Sequence, residues 1–107
     1  MFLPANEPND LLGQLRCLQS ARAKRQFRLD IFQAWEGCCA YCGRSGADTL
    51  DHLKPRAHGG QFVRRNLIPA CKRCNMKRST TDWLTWYSSQ SFFVSERAER
   101  IRRWMEY

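Results

Sequence analysis

Apolar residues between positions 11 and 35 recur at intervals of three and four: Leu11, Leu12, Leu15 and Leu18, then Phe27, Ile31 and Trp35. That is the period of one helix face, and Arg16, Arg22, Lys24, Arg25 and Arg28 occupy much of the remaining surface. The spacing predicts one long helix or two, with Asp10 as N-cap and an end near Gly37. Residues 1–9, with Pro4 and Pro8 among polar neighbours, read as a loose leader. The period then changes. Gly43 to Asp48 is rich in turn residues, Thr49 to Leu53 reads as a short strand ended by Pro55, and Ala57 to Gln61 is a loop containing Gly59-Gly60. A second strand is expected around Leu67-Ile68, with Pro69 confined to its end or to a sheet edge. Helical spacing returns from Cys71 to about Tyr87, where Trp83, Trp86 and Tyr87 form one aromatic face. Ser95 is the expected N-cap of a last helix that turns Ala98, Ile101 and either Trp104 or Met105 inward.

These elements predict an α+β fold in one domain over residues 10–107. It divides into a helical extension (10–36), a small core (37–80) and C-terminal helices (81–107). At 107 residues, the chain has room for one modest core and none for a separate recognition domain. No run approaches 18 apolar residues and no basic-then-apolar leader opens the chain, so the expectation is an intracellular, cytoplasmic protein without a membrane partner.

Charge adds a partner. The net charge is +8, and the segment 37–80 holds nine basic against two acidic side chains. Clustered Lys and Arg displace counterions from a phosphate backbone, so a nucleic acid is the expected partner. Lys54, Arg56, Arg64, Arg65, Lys72, Arg73, Lys77 and Arg78 form the expected backbone-binding surface.

The same segment carries the chemistry. Cys39 and Cys42, then Cys71 and Cys74 after 28 intervening residues, make two Cys-x-x-Cys pairs. Four soft thiolates in two chelating pairs suit tetrahedral Zn²⁺ and leave it no open coordination position, which makes the site structural. Disulfides are the weaker reading in a basic chain without a secretion signal. Cys17 and Cys38 then remain as small buried hydrophobes.

Between the pairs stands Asp51-His52, and Asn75 follows the last cysteine. The stretch from Cys39 to Arg78 reads CAYCG, LDHLKP, HGG, NLIPAC and KRCNMKR. In this joint pattern it resembles the HNH endonucleases, the zinc-bearing branch with a ββα-metal (His-Me finger), treble-clef-like core.

The resemblance implies a metal-dependent DNA endonuclease or nickase of a prokaryote or one of its viruses. His52 would be the general base that activates water, and Asp51 and Asn75 would hold one catalytic divalent cation. That cation is Mg²⁺ in the first instance, with manganese, nickel or another as alternatives, and the products would carry 5′ phosphates. Asn66 would hold the loop and orient the histidine. Many relatives have lysine where this chain has Arg78, and Arg78 or Lys77 would contact phosphate.

His58 reads as a loop residue. Adjacent strand residues face opposite sides of a sheet, so Asp51 and His52 can serve one site only where the strand bends or ends. One site cuts one strand at a time, and nothing in the sequence decides between a monomer and a dimer. The competing reading is a non-catalytic treble-clef zinc module that binds nucleic acid; a zinc-held protein adaptor leaves Asp51-His52 unexplained.

Overall fold

The structure, a computed structural model, describes residues 6–106, with side chains described from residue 19 onward. The chain divides into two compact units, residues 1–30 and 31–107. One helix, α1 (Asn6–Ala34), supplies the first unit and enters the second. The sequence places its start at Asp10, whereas the helix already includes residues 6–9 of the expected leader; residues 1–5 lie outside the described residues. In the first unit Gln19–Gln26 and Arg28–Asp30 are exposed, and Gln26 Nε2 donates to Asp30 Oδ1 one turn on, at 2.7 Å. Leu11, Leu12, Leu15 and Leu18 of the apolar stripe, with Arg16 and Cys17, lie outside the described side chains.

In the second unit the stripe behaves as expected, since Ile31 and Trp35 are fully buried. α1 ends in two left-handed residues, Glu36 and Gly37, and the Gly37 N–H closes back on Phe32 O at 2.8 Å. A tight knuckle follows, closed by the Cys39 N–H on Arg44 O and the Gly43 N–H on Cys39 O. The knuckle then joins the sheet, because the Ala40 N–H donates to Pro69 O at 2.9 Å.

Strands β1 (Thr49–His52) and β2 (Leu67–Ala70) make a two-stranded antiparallel sheet in which Asp51 faces Ile68 and His52 faces Leu67. Pro69 sits within β2 rather than ending it. In a sheet of two strands its missing N–H can fall on the outer edge, and its carbonyl takes Ala40. β2 covers the expected Leu67-Ile68, and the stretch before it contains a 3₁₀ turn at Arg64–Asn66.

Helix α2 (Lys72–Arg78) is capped by Cys71, whose Sγ accepts the Cys74 N–H. The helical pattern expected from Cys71 to Tyr87 breaks at Ser79, whose φ is +53°, so α3 (Trp83–Ser88) starts afresh. Asp82 caps α3, its Oδ2 accepting both the N–H and the hydroxyl of Thr85 at 3.0 Å. Helix α4 (Ser95–Met105) is capped at Val94 rather than Ser95, whose hydroxyl turns to Glu96 instead. Ala98 and Ile101 face inward as expected; Trp104 is half-buried and Met105 exposed.

The core gathers on the knuckle. Tyr41 is completely buried, 5.1 Å from Trp86 and 5.3 Å from Tyr87 between ring centroids, and the expected aromatic face of α3 packs here. Trp35 meets Trp104 edge-on at 5.6 Å.

The connection from β1 to β2 is held just as closely. A Cβ at Gly60 would stand 1.7 Å from Lys54 O, so only glycine fits without moving backbone. Gly60→Ala is therefore expected to cost about 1–3 kcal/mol, the usual penalty of overpacking. In thermal unfolding this should lower the midpoint by roughly 5–15 °C; an unchanged midpoint would show that the loop is not held this tightly.

Candidate active site

Two local structures bring the four cysteines together: the knuckle after α1 and the capped first turn of α2. All four Sγ atoms lie within 4.8 Å of one another, and those of Cys42 and Cys71 are 3.9 Å apart. This group could hold a metal ion. Cys39 and Cys74 are buried and Cys42 and Cys71 half-buried. Cys38 stays outside, half-buried, with its thiol on Glu36 O.

Burial pushes the Cys39 thiol up, and burial together with the neighbouring thiols holds Cys74 well above the ordinary thiol range. Cys71 goes the other way. Burial raises it, but donors from the Cys74 backbone and the adjoining thiols bring it below the usual value. Thiols this crowded resist ionising together, and a divalent cation among them would remove the penalty. Beside the group is a cavity of about 190 Å³ lined by Arg44, Arg73, Lys77 and Phe92, with Arg44 absent from the sequence-based basic set.

Asp51 and His52 part company at the end of β1. Asp51 is 4% exposed, and each of its oxygens is engaged: Oδ2 accepts the Tyr41 hydroxyl at 2.6 Å and Oδ1 accepts Arg78 Nη1 at 3.0 Å. Burial raises its carboxyl above the ordinary carboxylate value, against the pull of Tyr41 and Arg78. Burial, and then the charge of Asp51, raises the Tyr41 phenol.

His52 is half-exposed, its ring 6.0 Å from that of Phe62. Burial lowers its imidazole below the usual histidine value; Arg56 and Arg78 lower it further and Asp51 opposes them. The shift favours the neutral ring, the form that can accept a proton.

Asn66 clamps the loop between the strands. Its Oδ1 accepts the Lys54 N–H at 2.7 Å, and its Nδ2 donates to Lys54 O and Gln61 O at 3.1 and 2.9 Å. Its backbone carbonyl also takes the Leu53 N–H, one residue beyond His52. Asn75, on the face of α2 that packs on β1, donates through Nδ2 to Thr49 Oγ1 at 3.1 Å and reaches Leu50 O at 3.5 Å. Thr49 and Asp51 share one face of β1 by alternation, so Asn75 and Asp51 belong to the same layer.

Arg78 departs from its expected role. It is 1% exposed, and its guanidinium donates to Asp51 Oδ1, Thr81 O, His52 O and Leu53 O, so it presents no face to a phosphate. The other seven members of the basic set, Lys54, Arg56, Arg64, Arg65, Lys72, Arg73 and Lys77, are exposed, as is His58. Arg64 lies over the Trp104 ring at 3.8 Å while Trp104 Nε1 donates to Arg64 O and Leu67 O.

Sequence reasoning missed Tyr41 and Thr49, which hold Asp51 and Asn75, and Phe62 beside His52. Tyr41 carried a signal, since a large aromatic inside a Cys-x-x-Cys pair has to pack somewhere. Thr49 and Phe62 carried none. Among the described residues no helix is long and apolar enough to cross a membrane.

Comparison with known proteins places this geometry. Residues 39–81 match the family model described as HNH endonuclease. The chain is 39% identical over 85 residues, 72% of its length, to a CRISPR-associated endonuclease Cas9 of Actinomyces naeslundii. It is 36% identical over 74 residues, 63% of its length, to the Cas9 of Corynebacterium diphtheriae. The match spans only 8% and 7% of those two proteins. An SPbeta prophage-derived protein of Bacillus subtilis, YoqL, which is named as a candidate HNH endonuclease, is 31% identical over 90 residues, covering 66% of this chain and 39% of that protein. The family match runs from the first cysteine pair to beyond the second and takes in His52, Asn66 and Asn75, so residues 39–81 form an HNH endonuclease domain.

Proposed function

We propose that the chain is a metal-dependent DNA endonuclease or nickase whose residues 37–80 form a zinc-held ββα-metal core of treble-clef type. The observation that carries this reading is the gathering of four sulfurs at the two ends of a hairpin whose first strand finishes on a half-exposed histidine.

Zn²⁺ fits the sulfur group. A tetrahedron with Zn–S of about 2.3 Å sets sulfurs about 3.8 Å apart, close to the 3.9 Å between Cys42 and Cys71. With Cys39, Cys42, Cys71 and Cys74 all bound, this zinc is structural.

For the catalytic cation, Asn75 and Asp51 supply hard oxygen donors from one layer. The bond from Asn75 Nδ2 to Thr49 fixes its amide and leaves Oδ1 as the donor. On Asp51 each oxygen keeps acceptor capacity beside its present bond, so Tyr41 and Arg78 act as outer partners that orient a ligating carboxylate. Being 4% exposed, Asp51 is the less accessible of the two. A bound Mg²⁺, or Mn²⁺ in its place, supplies stabilisation of charge on the scissile phosphate and the departing oxygen.

The remaining work belongs to the chain. His52, whose surroundings favour the neutral ring, accepts the proton of the attacking water. Asn66 keeps the loop after His52 in place, and Lys54, Arg56, Arg64, Arg65, Lys72, Arg73 and Lys77 hold the DNA backbone. Asp51, His52 and Asn75 together separate this reading from a binding-only zinc module.

Two outcomes are expected. Protein purified without chelator should contain one zinc per chain by elemental analysis, and Cys74→Ser or chelation should abolish cooperative unfolding, because metal binding on the order of 10 kcal/mol is folding energy in a core this small. Zinc-free protein that unfolds cooperatively would refute the structural zinc. In a supercoiled-plasmid assay with Mg²⁺ or Mn²⁺, His52→Ala should lower the nicking rate at least about 100-fold with zinc content unchanged. Nicking that survives the substitution would remove His52 as the base, and tight DNA binding without cleavage in any metal would favour the binding module.

A further inference from the structure

One buried side chain holds the end of β1. Along a regular strand, successive side chains face opposite sides and successive carbonyls point to opposite edges. Here the consecutive carbonyls of His52 and Leu53 converge on one guanidinium: Arg78 Nη1 donates to His52 O and Arg78 Nη2 donates to Leu53 O at 2.5 Å. The chain therefore leaves the pleat at this point, and residues 53 and 54 are already bends.

The same Nη1 binds Asp51 Oδ1 at 3.0 Å, and Nε is anchored on Thr81 O at 2.7 Å, just beyond α2. The fork thus binds three consecutive residues of β1 and its exit to the end of α2. The other side of the bend is fixed as well, by the Leu53 N–H on Asn66 O at 2.8 Å.

The carboxylate is held in turn from the core. The Tyr41 hydroxyl donates to Asp51 Oδ2, the Tyr87 hydroxyl donates to Tyr41 O at 2.7 Å, and the Val94 N–H donates to Tyr87 Oη at 3.2 Å. A chain of hydrogen bonds, buried in its middle and part-buried at its ends, thus leads from the segment before α4 to the carbonyl of His52.

We infer that Arg78 is a positioning residue. It bends β1 at His52-Leu53 and so sets the direction from which His52 meets its substrate, while taking no part in holding DNA. This inference rests on the reading of His52 as the base. Lysine cannot reproduce it, because an ammonium offers three donors from a single atom, whereas these acceptors are bound by a planar fork with donors on three nitrogens.

The test compares wild type, Arg78→Lys and Tyr41→Phe in the full chain, each checked for zinc content. DNA affinity is read by fluorescence anisotropy on a short duplex with Ca²⁺, turnover by plasmid nicking at saturating DNA, and the histidine ring by ¹H–¹³C NMR. The chain has two histidines, so exposed His58 is the internal control. Arg78→Lys is expected to leave Kd within twofold, lower turnover at least tenfold and displace the His52 cross-peak but not that of His58. Tyr41→Phe, which removes one bond to Asp51 and little volume, is expected to move the same peak less.

A Kd weakened fivefold or more with turnover unchanged would make Arg78 a phosphate contact and overturn the inference. A wild-type His52 peak with wild-type turnover in folded Arg78→Lys would overturn it too, and displacement of both histidine peaks would reduce the role to general stability. Should Arg78→Lys fail to fold, an unmoved His52 peak in folded Tyr41→Phe overturns the coupling. If wild type itself does not cleave, the nuclease reading falls, while the NMR comparison still decides whether Arg78 positions His52.

Discussion

Four sulfur atoms drawn to within 4.8 Å of one another are the constraint on which the rest of this fold depends. The two pairs are separated by 28 residues that contain only two four-residue strands and two 3₁₀ turns. Such a segment has little apolar area to bury, and closing a loop of that length costs entropy. Bringing Cys39 and Cys42 against Cys71 and Cys74 fixes both ends of the hairpin at once. The first knuckle also carries Tyr41 into the aromatic core, so the sulfur group and the hydrophobic core are joined through one short stretch of chain.

Within that frame lies a buried polar network whose cost is unusual for so small a core. Burying a carboxylate and a guanidinium is unfavourable unless each is paired and hydrogen-bonded. Here Asp51 has two partners and Arg78 has four acceptors, so the requirement is met. What the network gains is geometry. Hydrophobic packing alone would tolerate a small rotation of α2 over β1, whereas a fork tied to three consecutive residues would not. The half-exposed imidazole of His52 stands next to a backbone held on both sides, by Arg78 at its carbonyl and by Asn66 one residue later.

Much of the site was legible in the sequence wherever spacing along the chain carries the information. Two cysteine pairs, Asp51-His52 and the asparagines at 66 and 75 are local signals, and the structure brings the cysteines into one group and turns Asn66 into a loop clamp, while Asn75 sits on the helix face that packs on β1. Arg78 was not legible as a buried group. A cation in a basic run reads as a solvated or phosphate-facing side chain, and only the carbonyls of a strand distant in sequence supply the acceptors that let it go inside. Helix ends show the same limit: Ser95 has the side chain of an N-cap, yet the helix is capped one residue earlier, and α1 begins ahead of Asp10. Pro69 lies inside β2 because the sheet has only two strands, a property of tertiary context rather than of the residue.

The proposed reaction is hydrolysis of a DNA phosphodiester at a single cation site beside His52. Its most direct measurement is the chemistry of the ends left in a supercoiled plasmid treated with zinc-loaded protein and Mg²⁺ or Mn²⁺. Hydrolysis of this kind should yield open circles whose nicks carry a 5′ phosphate and a 3′ hydroxyl, so that DNA ligase reseals them without any other enzyme. Plasmid that stays supercoiled in every metal, or nicks that ligase cannot close until a phosphate is added, would contradict it.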